Sequence, residues 1–228
     1  MSSTALVDTS ILLAACEPAA AAELRLGNRL SFVSLSSENI HILKSLNSEI
    51  FPVPYPEAYY EVVVKPELRR FCKLIYLDGA PVGQVTCTLK PSEREGEARV
   101  YGMLMGVLSS YRSLGIGTYA GQSVIDAIIA HNSYIKTLQV VGPITPPALR
   151  EGEVEDPLRQ LSMLPITSVF MHVHVLNTGA RRLYERYGFT ERKRIENFYR
   201  RKGPEDTTIK DAWVFERDID QNSLVLKI

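Results

Sequence analysis

A short glycine-containing segment, Tyr111-Arg-Ser-Leu-Gly-Ile-Gly-Thr118, has the residue types and spacing to hold a pyrophosphate. Gly115 and Gly117 lack Cβ atoms, so the backbone can turn tightly and approach a ligand closely. Backbone N–H groups then converge at the start of a helix, where the helix dipole also favours negative charge. Arg112 adds a planar guanidinium that suits phosphate oxygens. The segment therefore predicts a phosphate-binding turn, with an ordinary turn as the alternative.

Two histidines and a tyrosine have side chains that can move protons. His172 and His174 lie two residues apart in a strand-like segment, so their side chains share one face of the strand. A metal site would need a third ligand, and no Cys, His or carboxylate lies at a suggestive spacing, so we expect no metal. Each histidine is either a hydrogen-bonded core residue or a catalytic base. Tyr101, inside an apolar segment, allows the same two interpretations.

These residues must be positioned by a mixed set of strands and helices. Hydrophobic patterning predicts strands over 30–35, 71–77, 82–89, 98–108, 168–176, 189–199 and 208–215. It predicts helices from Ser36 or Ser37 to Asn47, and over 57–64, 118–130 and 178–187. Asn177-Thr178 is predicted to cap the last of these helices, and Gly188 to end it. Asp78-Gly79 marks a hairpin turn, and the last two strands are expected to be antiparallel. The pattern indicates a mixed α/β fold.

Composition limits the classes of protein and the compartments to consider. Lys and Arg together number 26, as do Asp and Glu, so the chain has no net positive charge that would attract nucleic acid. The three cysteines lack metal-type spacing and indicate free thiols in a reducing compartment. The N-terminal segment lacks the basic residues of a secretory or mitochondrial signal, and no segment is long enough to span a bilayer. We therefore expect a cytoplasmic protein without membrane association.

The glycine turn resembles the coenzyme-binding turn of the GNAT acetyltransferases, whose pattern is Gln/Arg-x-x-Gly-x-Gly/Ala. A second segment, Asn177-Thr-Gly-Ala-Arg-Arg-Leu-Tyr184-Glu-Arg-Tyr-Gly-Phe189, resembles that superfamily's asparagine, helical tyrosine and Tyr-Gly-Phe ending. Four further blocks resemble the catalytic subunits of NatE-type N-terminal acetyltransferases: 50–55, 99–103, 171–173 and 197–199. The resemblance covers about residues 27–217.

The resemblance implies a GNAT-like fold: a mixed, mostly antiparallel sheet of about seven strands with a central V-shaped splay, flanked by about four helices. The acetyltransferase domain would span 26–217. Residues 142–165 contain five prolines and four acidic residues, and we interpret them as an inserted loop. Residues 1–25 would be an N-terminal extension, and residues 218–228 a C-terminal tail.

The resemblance also implies a role for each matching residue. Tyr101 and His172 match the catalytic pair. Acetyl-coenzyme A would be held by Met105, Gly106, Val107, Arg112, Ser113, Leu114, Gly115, Ile116, Gly117, Thr118, Asn177 and Tyr184. The acceptor would be held by Phe51, Pro52, Val53, Tyr55, Met103, Phe198, Tyr199, Arg200 and Arg201. Phe198 stands where the family carries tyrosine, so one hydroxyl that could hydrogen-bond to the acceptor backbone is absent.

The implied acceptor is the N-terminus of a nascent or finished polypeptide, typically one that begins with methionine. At neutral pH on the order of a tenth of α-amines are neutral, against well under a hundredth of lysines, because their pKa values lie near ~8 and ~10. A modest base acting through water therefore suffices. The alternatives are a catalytically weak or inactive subunit that binds a partner acetyltransferase complex or the ribosome, and a GNAT enzyme acting on lysine or a small amine.

Partners follow from the same resemblance, which implies the NatA complex and the ribosome. The segment 181–202 is locally basic. We favour a solvated surface for it over direct binding of nucleic acid; the alternative is salt-sensitive contact with ribosomal RNA.

Overall fold

A single seven-stranded sheet organises the chain, as seen in a computed structural model that describes residue 26 and residues 28–141, 156–199 and 208–219. Its strands are β1 (Leu30–Ser34), β2 (Lys73–Leu77), β3 (Ala80–Pro91), β4 (Ala98–Val107), β5 (Ile166–His174), β6 (Thr190–Ile195) and β7 (Ala212–Asp218). The helices are α1 (Ile40–Ile50), α2 (Glu57–Val63), α3 (Ile116–Val141), α4 (Pro157–Leu161) and α5 (Thr178–Arg186). Short 3-10 turns lie at Pro66–Leu68 and Ser109–Tyr111.

The strand order is β1-β2-β3-β4-β5-β7-β6, and the pairing confirms the mixed, mostly antiparallel sheet that the sequence predicted. Strands β4 and β5 are parallel, whereas the other neighbouring strands are antiparallel. Five helices, rather than about four, accompany the sheet in the described part of the chain.

The parallel pair at the centre of the sheet separates part-way along its length. Pairing of β4 with β5 ends where Gly102 faces Met171, although β4 continues to Val107. The register between β3 and β4 shifts at the same level, which leaves Met103 as an extra residue in β4. A bulge of this kind bends its strand. The bulge and the end of pairing together produce the predicted V-shaped splay.

Three predicted local structures are present and have clear causes. The hairpin turn has left-handed φ values of 50° at Asp78 and 83° at Gly79, which suit a tight two-residue connection. The side chain of Asn177 caps α5 by accepting a hydrogen bond from the Ala180 N–H at 3.0 Å. Gly188 follows α5 with a φ of 72°, the conformation that commonly ends a helix.

Several predicted boundaries are wrong, among them the start of β7, which lies at Ala212 rather than at residue 208, and three have clear structural causes. Helix α1 begins at Ile40 rather than after a serine cap, because the Asn39 amide closes a turn back to Ser36 N–H and the Ser34 carbonyl. Strand β6 ends at Ile195, since the chain leaves the extended conformation at Asn197, whose φ is 51°.

Helix α3 is the third case and is much longer than the predicted 118–130. Its second half is held by tertiary contacts. The Asn132 side chain accepts from the Ile166 N–H at 2.8 Å and donates to the Ile166 carbonyl at 2.7 Å, and Ile135 is buried. Local patterning carried no signal of these long-range bonds.

The predicted insertion is partly described. Residues 142–155 lie outside the described residues, as do the predicted extension 1–25, residues 200–207 and the tail from residue 220. The described remainder contains α4, which packs Leu158 and Leu161 against the core. Within the described residues, no helix has both the length and the hydropathy required to cross a membrane.

Candidate active site

Tyr101 and His172 meet at the vertex of the splay. Tyr101 lies on β4 one residue before the last β4–β5 pair, and His172 lies on β5 one residue after it. The His172 Nδ1 and the Tyr101 hydroxyl oxygen are 3.1 Å apart, within hydrogen-bond distance. The two rings form a T-shaped contact with centroids 5.4 Å apart. The sequence-predicted pair is therefore in direct contact at the opening of the sheet.

Burial sets the protonation states of this pair. It raises the pKa of Tyr101, so the phenol keeps its proton at neutral pH. It also lowers the pKa of His172, and the charge of Lys193 on β6 lowers it further. With a neutral imidazole and a protonated phenol, the Tyr101 hydroxyl can donate its hydrogen bond to Nδ1. A proton delivered to the phenol oxygen can then be passed on to the imidazole.

Two phenylalanines enclose the pair. The ring of Phe198 stacks on the His172 imidazole with centroids 4.0 Å apart and an interplanar angle of 12°. The ring of Phe170 lies 5.0 Å from that of Tyr101. The sequence analysis did not select Phe170. Its position two residues before His172, on the same face of β5, was the available signal.

His174 is bonded to the backbone at both ring nitrogens. Its Nε2 lies 2.9 Å from the Ile209 carbonyl, and its Nδ1 lies 3.2 Å from the Leu176 N–H. A carbonyl only accepts and a backbone N–H only donates, so these contacts fit the neutral Nε2-protonated tautomer. This arrangement supports a structural role for His174. Across the described chain, no three metal-ligating side chains cluster.

The predicted first acceptor loop, residues 51–55, joins α1 to α2. Phe51 and Tyr55 form a T-shaped aromatic pair with centroids 5.7 Å apart, and Tyr55 also packs against Tyr59 of α2. The loop sits directly on β4 beyond the bulge. A Cβ at Gly106 would lie 2.6 Å from Ile50 Cγ2 and 2.9 Å from Phe51 Cζ. Glycine at 106 therefore permits this close approach.

A cavity of about 300 Å³ adjoins this loop and is also lined by Lys44, Asn47 and Ser48 of α1 and Tyr60 of α2. Neither Tyr101 nor His172 lines it. The cavity therefore lies between the loop and the two helices, and the predicted catalytic pair is not part of its lining.

The predicted second acceptor loop contributes Phe198 and Tyr199. The Tyr199 hydroxyl donates to the His172 carbonyl at 3.5 Å. Burial, followed by electrostatic interaction with Tyr101 and Tyr55, raises the pKa of Tyr199 to about 12. Tyr199 therefore lies near both Tyr55 of the first loop and Tyr101 of the predicted catalytic pair. The predicted acceptor residues Arg200 and Arg201 lie outside the described residues.

The glycine turn has the conformation that anion binding requires. Ser113 and Gly115 adopt left-handed φ values of 64° and 84°, and α3 begins at the next residue, Ile116. The Thr118 N–H donates to the Gly115 carbonyl at 2.9 Å. N–H groups at a helix start that lack such an acceptor can donate to phosphate oxygens. The Arg112 Nε donates to the Val107 carbonyl at 3.0 Å, which fixes the side chain beside the turn. Its two terminal nitrogens make no hydrogen bond to the described residues.

The other predicted coenzyme residues lie on either side of the splay. Met105, Gly106 and Val107 form the part of β4 beyond the last pair with β5. Tyr184 of α5 packs on Phe189, and burial raises its pKa. Its hydroxyl makes no hydrogen bond among the described residues. The Asn177 carbonyl oxygen is used by the cap of α5, so its amide NH₂ is the part left to contact a ligand.

The basic segment after His174 is largely compensated by acids. Its ion pairs are Arg181 with Glu185 and Glu191, Arg192 with Glu216 and Asp218, and Arg194 with Asp211. These pairs support the interpretation as a solvated surface.

Comparison with known proteins agrees with this geometry. The acetyltransferase (GNAT) family model matches residues 40–150, which include the first loop, Tyr101 and the glycine turn. The probable N-acetyltransferase san of Drosophila melanogaster is 29% identical over 175 residues, 77% of this chain and 76% of that protein. N-alpha-acetyltransferase 50 of Danio rerio is 27% identical over 181 residues, 79% of this chain and 86% of that protein.

A solved structure gives the same result in three dimensions. Arabidopsis thaliana Naa50, in complex with the bisubstrate analogue CoA-Ac-MVNAL, has a TM-score of 0.59 at 26% identity. The match covers 83% of this chain and 98% of Naa50. The splayed sheet, the glycine turn and these matches agree, and the chain is similar to the acetyltransferase (GNAT) family in both sequence and fold.

Proposed function

We propose that this chain is a protein N-alpha-acetyltransferase that transfers the acetyl group of acetyl-coenzyme A to the N-terminal amine of a polypeptide. The observation that carries this proposal is the Tyr101–His172 hydrogen bond at the vertex of the splay, between two aromatic loops. A thioester that enters through the splay meets an amine held between the loops at this point.

The coenzyme side uses the glycine turn. The first-turn N–H groups of α3 and the terminal nitrogens of Arg112 bind the pyrophosphate. The open edge of β4 beyond Gly102, residues 103–107, is the section whose backbone is not paired with β5. It can pair with the extended pantetheine amides and direct the thioester toward Tyr101.

The reaction follows from the states of the catalytic pair. The neutral α-amine attacks the thioester carbonyl carbon, the C–S bond breaks, and the thiolate of coenzyme A leaves. The proton lost by the amine passes through water to the Tyr101 oxygen, while the phenol proton moves to His172 Nδ1. The lowered pKa of His172 keeps the imidazole free to accept at neutral pH.

The acceptor is proposed to begin with methionine, as in NatE-type enzymes. Phe51, Pro52 and Val53 present apolar surface on a loop already shaped by proline and aromatic contacts, so an apolar first side chain can bind with little ordering of the loop. The bisubstrate analogue bound by Naa50 carries the peptide MVNAL, which begins with methionine. Association with the NatA complex or the ribosome and a cytoplasmic location stay predictions.

The proposal is tested by measuring coenzyme A release with four peptides. Three begin with Met-Leu, Ser or Glu, and the fourth has a blocked N-terminus and a free lysine. We expect turnover on the Met-Leu peptide and little on the blocked one. Turnover confined to the blocked peptide would favour a lysine acetyltransferase. Acetyl-coenzyme A binding without turnover on any peptide would favour an inactive subunit.

The residue roles have a separate test. Tyr101→Phe and His172→Ala are each expected to lower kcat by roughly 10²–10⁴, because each removes a proton carrier. His41→Ala and Tyr134→Phe are matched controls, since both side chains lie on exposed helix surface outside the site. Near-normal kcat in both site variants would contradict the assignment even if the peptide preference held.

A further inference from the structure

Asp211, which the sequence analysis did not select, joins three separate segments around the second acceptor loop. It lies just before β7 and is 9% exposed. Its Oδ1 accepts the Asn197 N–H at 2.9 Å, and its Oδ2 accepts the Arg194 Nε at 2.9 Å. Its own carbonyl accepts the Val175 N–H at 3.1 Å. One residue therefore connects the end of β6, the loop and the segment after β5.

The bond to Asn197 fixes the direction of the chain at one residue. Asn197 has a φ of 51°, in the left-handed region that asparagine tolerates better than most residues. A hydrogen bond to its N–H favours this conformation over the extended one. The next residue, Phe198, is turned by it onto the face of His172.

The Phe198 ring is positioned to control the environment of His172. At 4.0 Å and 12° it covers one face of the imidazole and excludes water there. The other titratable or charged groups around His172 are Tyr101 of β4, Lys193 of β6, Tyr199 of the same loop and His174 on its own strand. None of these groups carries a negative charge at neutral pH that would stabilise an imidazolium.

We infer that Asp211 is a positioning residue for the catalytic histidine: through the Asn197 turn it holds Phe198 against His172, which keeps the imidazole shielded and directed at Tyr101. This inference deepens the proposed function and rests on it for its consequence in catalysis. The contacts themselves do not depend on which acceptor is used. Burial, the condition that Phe198 contributes to, is the main cause of the lowered pKa of His172.

The test uses NMR titration of the imidazole of His172 in the full chain, which needs no substrate. The chain has four histidines, and the His172 signal is assigned by its loss in His172→Gln. Asp211→Ala is expected to raise the pKa of His172 toward the ordinary histidine value, because Phe198 is released and water reaches the ring. Asp211→Asn, which keeps an oxygen for the Asn197 N–H, is expected to cause a smaller rise.

A matched control lies at the other end of the same strand. Asp218 accepts from Arg192 at 2.9 Å, an ion pair between β6 and β7 like that of Asp211. Among the described residues, its side chain bonds to no residue of the second acceptor loop. Asp218→Asn should leave the titration of His172 unchanged. Equal shifts in the Asp211 and Asp218 variants would overturn the inference, since general loss of charge would then explain both.

The route through Phe198 is tested by a double-mutant cycle. The Phe198 side chain is 38% exposed and is not part of the hydrophobic core, so Phe198→Ala remains available if Asp211→Ala does not fold. It should raise the pKa of His172, and adding Asp211→Asn should raise it no further. Additive shifts would show that Asp211 acts by another route.

Kinetics separate this inference from the proposed function. With the Met-Leu peptide, the ratio of kcat/KM at pH 8 to that at pH 6 is expected to rise about threefold in Asp211→Asn. The reason is that a raised pKa of His172 moves the acidic limb of the pH–kcat/KM profile to higher pH. No turnover in any variant together with a shifted His172 titration would sink the proposed function alone. If the Asp211 variants turn over the peptide while the titration of His172 and the pH 8 to pH 6 ratio of kcat/KM stay unchanged, the inference alone would be wrong.

Discussion

The two loops that flank the Tyr101–His172 pair are held in place by different forces. The first, residues 51–55, is shaped within its own sequence by prolines and by the packing of Phe51 on Tyr55, and it rests on Gly106. The second, around Asn197 and Phe198, is shaped by polar bonds from residues more than ten positions away. In the proposed acceptor site, the conformation of one side is therefore determined by packing and that of the other by a charged group. Substitutions that change side-chain volume should disturb the first loop, whereas substitutions that change charge or backbone conformation should disturb the second.

Among the variants that distinguish the two loops, the largest effect is expected in the packed first loop. Gly106→Ala places a methyl group 2.6 Å from Ile50 Cγ2 and must displace the end of α1 and the first loop. We expect the free energy of unfolding to fall by about 1–3 kcal/mol, as for overpacking elsewhere. We expect kcat/KM to fall on the order of 10²-fold, because the acceptor is misplaced relative to the thioester. Thermal unfolding and peptide kinetics measure the two effects.

The control for this variant is Gly121→Ala in α3, where a Cβ would meet no atom within 4 Å. It should be neutral or stabilising, since alanine is the better helix former. A Gly106→Ala enzyme with normal kcat/KM would show that the first loop is not tightly seated on β4.

An intermediate effect is expected from the backbone of the second loop. Asn197→Ala keeps the N–H that Asp211 accepts but places alanine at a φ of 51°, at a cost of about 1 kcal/mol. If that free energy is lost from acceptor binding, KM for the peptide rises about fivefold. Asn197→Gly removes the strain and should stay closer to the parent than the alanine variant does. If glycine raises KM as much as alanine, the side chain rather than the φ value matters.

The smallest expected effect is spectroscopic and concerns pH. The Asn197 N–H and then the Arg194 guanidinium hold the pKa of Asp211 below its ordinary value. The stability contributed by this carboxylate is therefore present above the ordinary value, near pH ~4, and is lost as the pH falls through the lowered one. Trp213, the single tryptophan, lies under Arg194 at 5.6 Å and reports on the pair.

We expect the Trp213 emission to stay constant from about pH 8 to about pH 5 and to change only in stronger acid. Asp211→Asn should show at neutral pH a small change of the same sign, while Asp218→Asn should not. If the Asp211→Asn and parent spectra superimpose at every pH, the second loop does not depend on this charge.

Much of the fold was predictable because its causes lie within short segments. The hairpin at Asp78 and Gly79, the Asn177 cap and the strands around Tyr101 and His172 all carry local signals. The second half of α3 did not, since it depends on Asn132 bonding to a strand more than thirty residues away. The early end of β6 likewise depends on the turn at Asn197.

The candidate site divides in the same way. The sequence alone determined the glycine turn, because positive φ values, helix-start N–H groups and a nearby arginine are properties of consecutive residues. It also placed Tyr101 and His172 on strands. Only the tertiary structure decided that the two meet at the vertex of the splay, that Phe198 stacks on the histidine and that Asp211 holds the loop. Those contacts join residues far apart in the chain, and their geometry is set by strand register and loop conformation, which no short segment specifies.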